Sequence, residues 1–150
     1  MTKTEDLRHI IDAMRGASVL VIGDIMLDRY FYGAVSRISP EAPVPVLHVK
    51  REGRMLGGAG NVLRNLDGLG VKSKIVTLIG EDGDGAIVRT MLNGLEHSSE
   101  QDHGLVESSR PTTVKSRFVA QGQQLLRADE EDKSALSEDI EAEIMRSFDA

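Results

Sequence analysis

Short apolar runs alternate with amphipathic segments along the first two thirds of the chain. Residues 18–22 and 74–79 are nearly continuous apolar runs, each followed by a glycine, a pattern typical of strands buried on both faces of a parallel sheet. Apolar residues at helical spacing follow a glycine cluster at 57–60 and recur at 84–93. Strand, glycine turn and helix in succession predict an α/β fold with parallel central strands.

Two more helices are predicted near the ends of the chain. Residues 4–15 carry an apolar stripe at helical spacing and are followed by Gly16, a common helix stop. Ser137 is a good N-terminal cap for a helix that carries apolar residues every four positions.

Other segments have the pattern of half-exposed strands. Residues 44–50 predict an edge strand, because nearby prolines would break the hydrogen-bond ladder of a central one. Residues 112–119 alternate between two faces, and a Gln-Gly turn lets residues 124–127 return as a hairpin partner. Together with residues 30–50, this hairpin predicts a small β-sheet that stands off the main one.

Composition narrows the classes of function. The 150 residues are 40% hydrophobic with a net charge of -6, which argues against a nucleic-acid-coating protein. There is no cysteine, so disulfides and thiolate sites are excluded. The charged amphipathic N-terminus is unlike a signal peptide, and no apolar run approaches the ~18 residues of a membrane span. The cytoplasm is therefore the expected compartment.

Two aspartates follow the first predicted strand, at Asp24 and Asp28. In open α/β sheets, ligands bind at the carboxyl ends of the strands, where a carboxylate can accept hydrogen bonds from neighbouring sugar hydroxyls. The alternative is a turn in which the acids cap backbone N–H groups. We favour capping for Asp24 and leave both roles open for Asp28.

The glycine cluster and the amide beside it form a second candidate site. Gly57 and Gly58 would let a ligand approach the backbone, free N–H groups at the helix start bind oxygens, and Asn61 adds a side-chain amide. The spacing matches neither the Walker phosphate loop nor the dinucleotide fingerprint. A purely structural need for glycine is the commoner explanation, and both remain open.

Three cations are candidates for binding an anion. Arg37 lies in a loop stiffened by prolines, and Lys115 and Arg117 share one face of a predicted strand. An arginine can bind a phosphate with two parallel hydrogen bonds. The alternative is that the charges protect an exposed strand from aggregation.

The remaining polar clusters predict structure rather than chemistry. Asp82 or Asp84 is expected to cap a helix, since the segment around them lacks the ligand spacing of a calcium loop. The acidic run at 129–132 is expected to be a solvated linker. The histidines at positions 9, 48, 97 and 103 show no zinc-ligand spacing.

Four segments in order give the chain its resemblance: VIGDIMLDRYFYG, SRISPEAPVPVL, GGAGNVLRNLDGLG and PTTVKSRFVAQGQQLLRADEE. They resemble the ribokinase-like (PfkB) carbohydrate kinases, in particular the heptose-7-phosphate kinase domain of bifunctional ADP-heptose synthesis proteins. The resemblance covers residues 18 to about 131. It implies a ribokinase-like doubly wound, mainly parallel sheet with a small β lid, formed by segments 30–50 and 112–127.

The resemblance also implies an activity. In that family, the enzyme uses Mg²⁺ and transfers a phosphoryl group from ATP to the anomeric hydroxyl of D-glycero-D-manno-heptose 7-phosphate. The product is used to synthesise ADP-heptose and the lipopolysaccharide core. Asp28, Gly57, Gly58 and Asn61 would hold sugar hydroxyls, and the β lid would also form a homodimer interface. We add the hypothesis that a clamp of Arg37, Lys115 and Arg117 neutralises the distal phosphate.

One family signature does not occur in these 150 residues. An Asp-Thr-x-Gly-Ala-Gly-Asp stretch, which in the family carries the general base and the anion hole, is absent from the sequence. We therefore expect residues 1–150 to be the N-terminal part of a single kinase domain, without an ATP pocket or an adenylyltransferase domain, and inactive alone. Alternatives are a kinase of another sugar or of a nucleoside, and a non-catalytic remnant that binds a sugar or a partner.

Overall fold

Two separate sheets organise the chain in a computed structural model, which describes residues 3–98 and 103–149, and side chains for 7–98 and 103–148. The elements in chain order are α1 (Lys3–Met14), β1 (Ser18–Ile22), β2 (Ile25–Ile38), β3 (Pro45–Gly58), α2 (Ala59–Gly68), β4 (Lys72–Gly80), α3 (Gly83–Leu92), β5 (Gly104–Ser108), β6 (Val114–Ala120), β7 (Gln123–Glu130) and α4 (Glu138–Asp149).

The first sheet is parallel and has the strand order β1-β4-β5. Helices α2 and α3 pack against β4, and α4 packs against β4 and β5. We call this sheet and its helices the body. The core lies between the body and the base of the second sheet, and its buried apolar side chains come from both: Ile25, Leu27, Leu56, Leu63, Ile75, Ile79, Val88, Leu92 and Val114. The predicted α/β fold with parallel central strands is confirmed.

The second sheet, which we call the lid, has the order β3-β2-β6-β7. Its outer pairs are antiparallel, whereas β2 and β6 run parallel. The predicted edge strand and hairpin are confirmed. The lid is larger than segments 30–50 and 112–127, because β2 begins at Ile25, β3 continues to Gly58 and β7 continues to Glu130.

Two expectations about the body differ from the structure. The prediction that β1 is buried on both faces is wrong: Ile22 is 57% exposed, because β1 forms an edge of its sheet. Strand β5 was not predicted, since it is only five residues long and includes Glu107 and Ser108. The strand packs closely against α4: a Cβ on Gly104 would lie 2.8 Å from Cβ of Ser147. Its position therefore depends on tertiary packing.

The predicted helix at the N-terminus forms, but its apolar stripe is not covered. Leu7 and Ile10 of α1 are more than half exposed. Among the residues described, no helix combines the length and apolar character that crossing a bilayer requires.

Asp82 ties three elements together where β4 ends. It is the predicted N-cap of α3: Oδ1 accepts hydrogen bonds from Gly85 N at 2.7 Å and Thr112 Oγ1 at 2.8 Å, and Oδ2 accepts from Thr112 N at 2.8 Å. Thr112 Oγ1 in turn accepts from Gly80 N at 2.9 Å. Burial raises the pKa of the Asp82 carboxyl, but the hydrogen bonds from Thr112 and Gly85 outweigh it and hold that pKa below its ordinary value.

We expect Asp82→Ala to lower the free energy of unfolding at pH 7 by about 1–2 kcal/mol, because it removes a helix cap and two further hydrogen bonds. Because folding lowers the pKa of Asp82, its contribution is complete above the ordinary pKa near 3.8 and is lost as the pH falls through the lower folded value. Urea unfolding from pH 7 to pH 3, followed by circular dichroism, measures both effects.

The adjacent exposed acid provides the control, because the side chain of Glu81 makes none of these bonds. Glu81→Ala should leave the free energy of unfolding nearly unchanged. An equal loss in both variants, or a loss in Asp82→Ala that stays constant down to pH 3, contradicts the assigned role.

Candidate functional site

The carboxylate of Asp28 lies directly over the glycine pair at the end of β3. In the β2–β3 pair, Met26 lies opposite Gly57. Asp28 is two residues farther along β2, so its side chain lies on the same face of the sheet as that of Met26. A Cβ on Gly57 would lie 2.7 Å from Oδ2 of Asp28. The Asp28 side chain is 16% exposed. The structure therefore brings together the two candidate sites that the sequence placed 29 residues apart.

Gly58 has a structural reason to be glycine. Its φ is +56°, and a Cβ there would lie 2.4 Å from the carbonyl oxygen of Asp24. The next residue, Ala59, donates its N–H to that same carbonyl at 2.9 Å. Asn61 follows in the first turn of α2 with an exposed side chain. The structural explanation therefore holds for Gly58, whereas at Gly57 the missing side chain makes room for a carboxylate.

Two of the three predicted cations join this cluster. Nη1 of Arg117 donates to Oδ1 of Asp28 at 2.5 Å. Burial opposes the charge on Arg117, but the hydrogen bond and charge of Asp28 outweigh it and raise the pKa of that guanidinium. Lys115, the cross-strand partner of Asp28, donates Nζ to Asp129 at 3.0 Å and to Glu131 at 3.5 Å. The site is thus a chain of alternating charges at the base of the lid.

The expectation of a solvated acidic linker at 129–132 is wrong for its first two residues, which belong to β7, whereas residues 131 and 132 do lie in the connection to α4. Asp129 belongs to β7, and hydrogen bonds from Lys115 and Arg127 hold the pKa of its carboxyl below the ordinary value. Counting residue pairs back from the turn at 121–122 predicts the partner of Lys115 to within one residue of Asp129. A register shift in the β6–β7 pair after Phe118 displaces the count by one residue.

Arg37 does not reach the cluster. It lies nine residues beyond Asp28 on β2, past the last β2–β6 pair at Gly33 and Ala120. At the rise of an extended strand, that separation is about 30 Å. Within this chain, the structure assembles Lys115 and Arg117 but not the three-residue clamp of the sequence hypothesis.

The carboxyl ends of β1 and β4 open into a cavity of about 550 Å³, at the edge where open α/β sheets bind ligands. Gly23, Asp24 and Met26 line it, and Met26 also contacts the Gly57 position, so the cavity adjoins the Asp28 cluster. A segment at 131–134 forms another wall. Arg110 holds that segment by donating to the carbonyls of Asp132 at 2.6 Å and Ser134 at 2.9 Å, a role that no sequence motif signals.

We expect Gly57→Ala to lower the free energy of unfolding by about 1–3 kcal/mol, because the added methyl group forces Asp28 or Met26 to move. Gly68→Ala is the matched control, since nothing lies within 4 Å of the Cβ it adds and alanine favours the end of α2. Thermal unfolding of both variants measures the difference. Equal stability of the two would show that Asp28 is not confined by the glycine.

Comparison with known proteins gives the relatives of this chain. No protein-family model matches it. It is 47% identical over 145 residues to the bifunctional protein HldE of Paramagnetospirillum magneticum, a match that covers 97% of this chain and 29% of the relative. It is 50% identical over 131 residues to HldE of Caulobacter vibrioides, covering 85% of this chain and 26% of the relative. The chain therefore spans less than a third of the length of these relatives.

Solved structures share its fold. A carbohydrate kinase from Agrobacterium tumefaciens superimposes with a TM-score of 0.58 at 19% identity, over 75% of this chain and 35% of the other. Ribokinase from Thermotoga maritima gives a TM-score of 0.51 at 17% identity, over 75% and 35% of the two chains. The chain is a homologue of one part of the bifunctional HldE proteins, with the fold of the ribokinase-like carbohydrate kinases.

Proposed function

We propose that the chain is the sugar-binding, N-terminal part of a cytoplasmic ATP-dependent kinase domain. Its substrate is D-glycero-D-manno-heptose 7-phosphate, phosphorylated at the C1 hydroxyl in ADP-heptose and lipopolysaccharide-core synthesis. The observation that carries the proposal is the Asp28 carboxylate held over Gly57, beside a cavity at the carboxyl ends of the parallel strands. The kinship with HldE proteins supports the choice of sugar.

In this proposal Asp28 accepts hydrogen bonds from two neighbouring sugar hydroxyls. Arg117 orients the carboxylate by donating Nη1 to Oδ1. The sugar ring lies against the backbone of Gly57 and Gly58 at the start of α2, beside the Asp28 carboxylate that occupies the space next to Gly57. The exposed amide of Asn61, in the first turn of α2, adds a further donor and acceptor.

ATP and Mg²⁺ enter the proposal through the kinase resemblance. Among the side chains of residues 7–98 and 103–148, no group of three acidic or histidine residues converges to hold a metal ion. We therefore assign neither group to a residue of this chain. Phosphoryl transfer depends on positioning and on stabilising the charge of the moving group, and this chain contributes the positioning of the acceptor.

The lid also supports the proposed homodimer. Strand β7 is an outer edge whose eight residues are all exposed. On the face opposite Asp28, the rings of Phe31 and Phe118 stack at 5.0 Å, and the neighbouring Leu126 is 59% exposed. An open strand edge beside an apolar surface favours pairing with a second chain.

We expect Asp28→Asn to weaken binding of heptose 7-phosphate at least tenfold, because an amide accepts fewer and weaker hydrogen bonds from hydroxyls than a carboxylate does. Isothermal titration of the 150-residue chain measures the affinity. Asp12→Asn is the control, since Asp12 is 65% exposed in α1, which precedes the amino end of β1 and lies away from the cavity at the carboxyl ends of the strands. Equal affinity of the Asp28 variant and the unaltered chain would reject the proposed site.

We expect the 150 residues alone to transfer no phosphoryl group from ATP to heptose 7-phosphate, because the signature that carries the family's general base does not occur in them. Release of ADP, followed with and without the sugar, measures turnover. Sugar-dependent ADP release that is lost in Asp28→Asn would contradict this expectation while supporting the sugar site.

A further inference from the structure

The face of the lid that carries Asp28 changes its chemistry two residues farther along the strands. In the cross-strand row of Asp28, acid and base alternate: the row is Met55, Asp28, Lys115 and Asp129. The next row on the same face contains two guanidinium groups, a phenol and no carboxylate: it is Gly53, Tyr30, Arg117 and Arg127.

This second row continues into a strip of arginine and tyrosine side chains. The rings of Tyr30 and Tyr32 stack at 5.8 Å with 10° between their planes. The guanidinium carbon of Arg51 lies 3.9 Å from the centre of the Tyr32 ring, and that of Arg117 lies 5.3 Å from the centre of the Tyr30 ring. We call these four residues and Arg127 the arginine–tyrosine strip.

The charges of Arg117 and Arg127 are compensated by carboxylates on one side only. Arg117 and Arg127 are direct cross-strand partners, and like charges in that arrangement repel. The compensating carboxylates, Asp28 and Asp129, both lie in the neighbouring row. Asp28 accepts a hydrogen bond from Nη1 of Arg117, and Asp129 accepts hydrogen bonds from Nε and Nη2 of Arg127.

Arg127 is the more accessible of the pair. Its side chain is 49% exposed, whereas that of Arg117 is 19% exposed. A guanidinium carries five N–H donors, so Arg127 can keep its bonds to Asp129 and still donate to a ligand. An anion placed between the two arginines would relieve their repulsion and receive charge-assisted hydrogen bonds from both.

We propose that the strip is a second subsite, which binds the phosphate of a phosphorylated sugar through Arg117 and Arg127. The inference rests on the proposed function, because it takes the sugar ring to lie at Asp28. Two strand spacings and two residue steps separate the Cα atoms of Asp28 and Arg127 by about 12 Å. A sugar phosphate spans this gap when the arginine side chain extends towards Asp28. Arg127 thus takes the place that the sequence hypothesis gave to Arg37.

Arg127→Gln tests the subsite, and Arg37→Gln is its matched control. Both substitutions remove one positive charge from an exposed position of the lid, so they change the net charge equally. The affinities of the 150-residue chain for heptose 7-phosphate, for unphosphorylated heptose and for inorganic phosphate are measured by isothermal titration. Thermal unfolding verifies that both variants are folded.

We expect Arg127→Gln to weaken binding of the phosphorylated sugar about tenfold and to leave heptose binding within twofold. Arg37→Gln should change neither affinity. Arg127→Lys should give an intermediate affinity, because it keeps the charge but loses the bidentate geometry. Equal losses for the two sugars in Arg127→Gln, or no loss for either, would overturn the subsite.

The outcome also separates the two proposals. If the unaltered chain binds neither sugar, the proposed function fails, and the inorganic phosphate titration alone decides the subsite. Phosphate binding that disappears in Arg127→Gln and persists in Arg37→Gln would support an anion subsite without the sugar. Absent or unchanged phosphate binding would overturn it.

Discussion

The fold depends on a contact between backbones for which only glycine leaves room. Where β3 passes into α2, a side chain on Gly58 would collide with the carbonyl of Asp24, and one on Gly60 would lie 2.9 Å from Ile25. Ile25 in turn donates its N–H to Thr77 Oγ1 at 3.1 Å, which joins the start of the lid to the body sheet. The lid, the helix and the body are therefore fixed relative to one another at one place, and the Asp28 carboxylate is positioned there.

Electrostatics would distribute the two proposed kinds of recognition over one face of the lid. At its base, Asp28 and Lys115 are each engaged by a partner of opposite charge, an arrangement suited to hydroxyl groups that both donate and accept. One row farther, arginine and tyrosine dominate, which suits an anion. Because the strands fix the spacing between the rows, the two proposed subsites would select a ligand by the distance between its ring and its charged end.

The sequence predicts most of the architecture, because periodicity and glycine positions reflect local physics. The buried run of β4, the cap at Asp82 and the hairpin at 112–127 follow from such patterns. The edge position of β1 and the existence of β5 do not, since both depend on which strands become neighbours. At the site, the nearness of Asp28 to Gly57 was expected from the family resemblance, whereas the ion pairs of Asp129 and the distance of Arg37 depend on register and strand length. The functional roles of these residues stay predictions.

The parallel pairing of β2 with β6 has a consequence for how the protein folds. Arg117 and Asp28 are 89 residues apart in the chain, and the segment between them contains the second and third strands of the body. Closing so long a loop costs entropy that only a preformed body can reduce. We therefore expect the middle of the lid to assemble late, after β4, α3 and β5 have brought its two halves together. A nascent chain that ends before β6 holds a β2–β3 ribbon in which the edge of β2, and not only that of β3, is open to association.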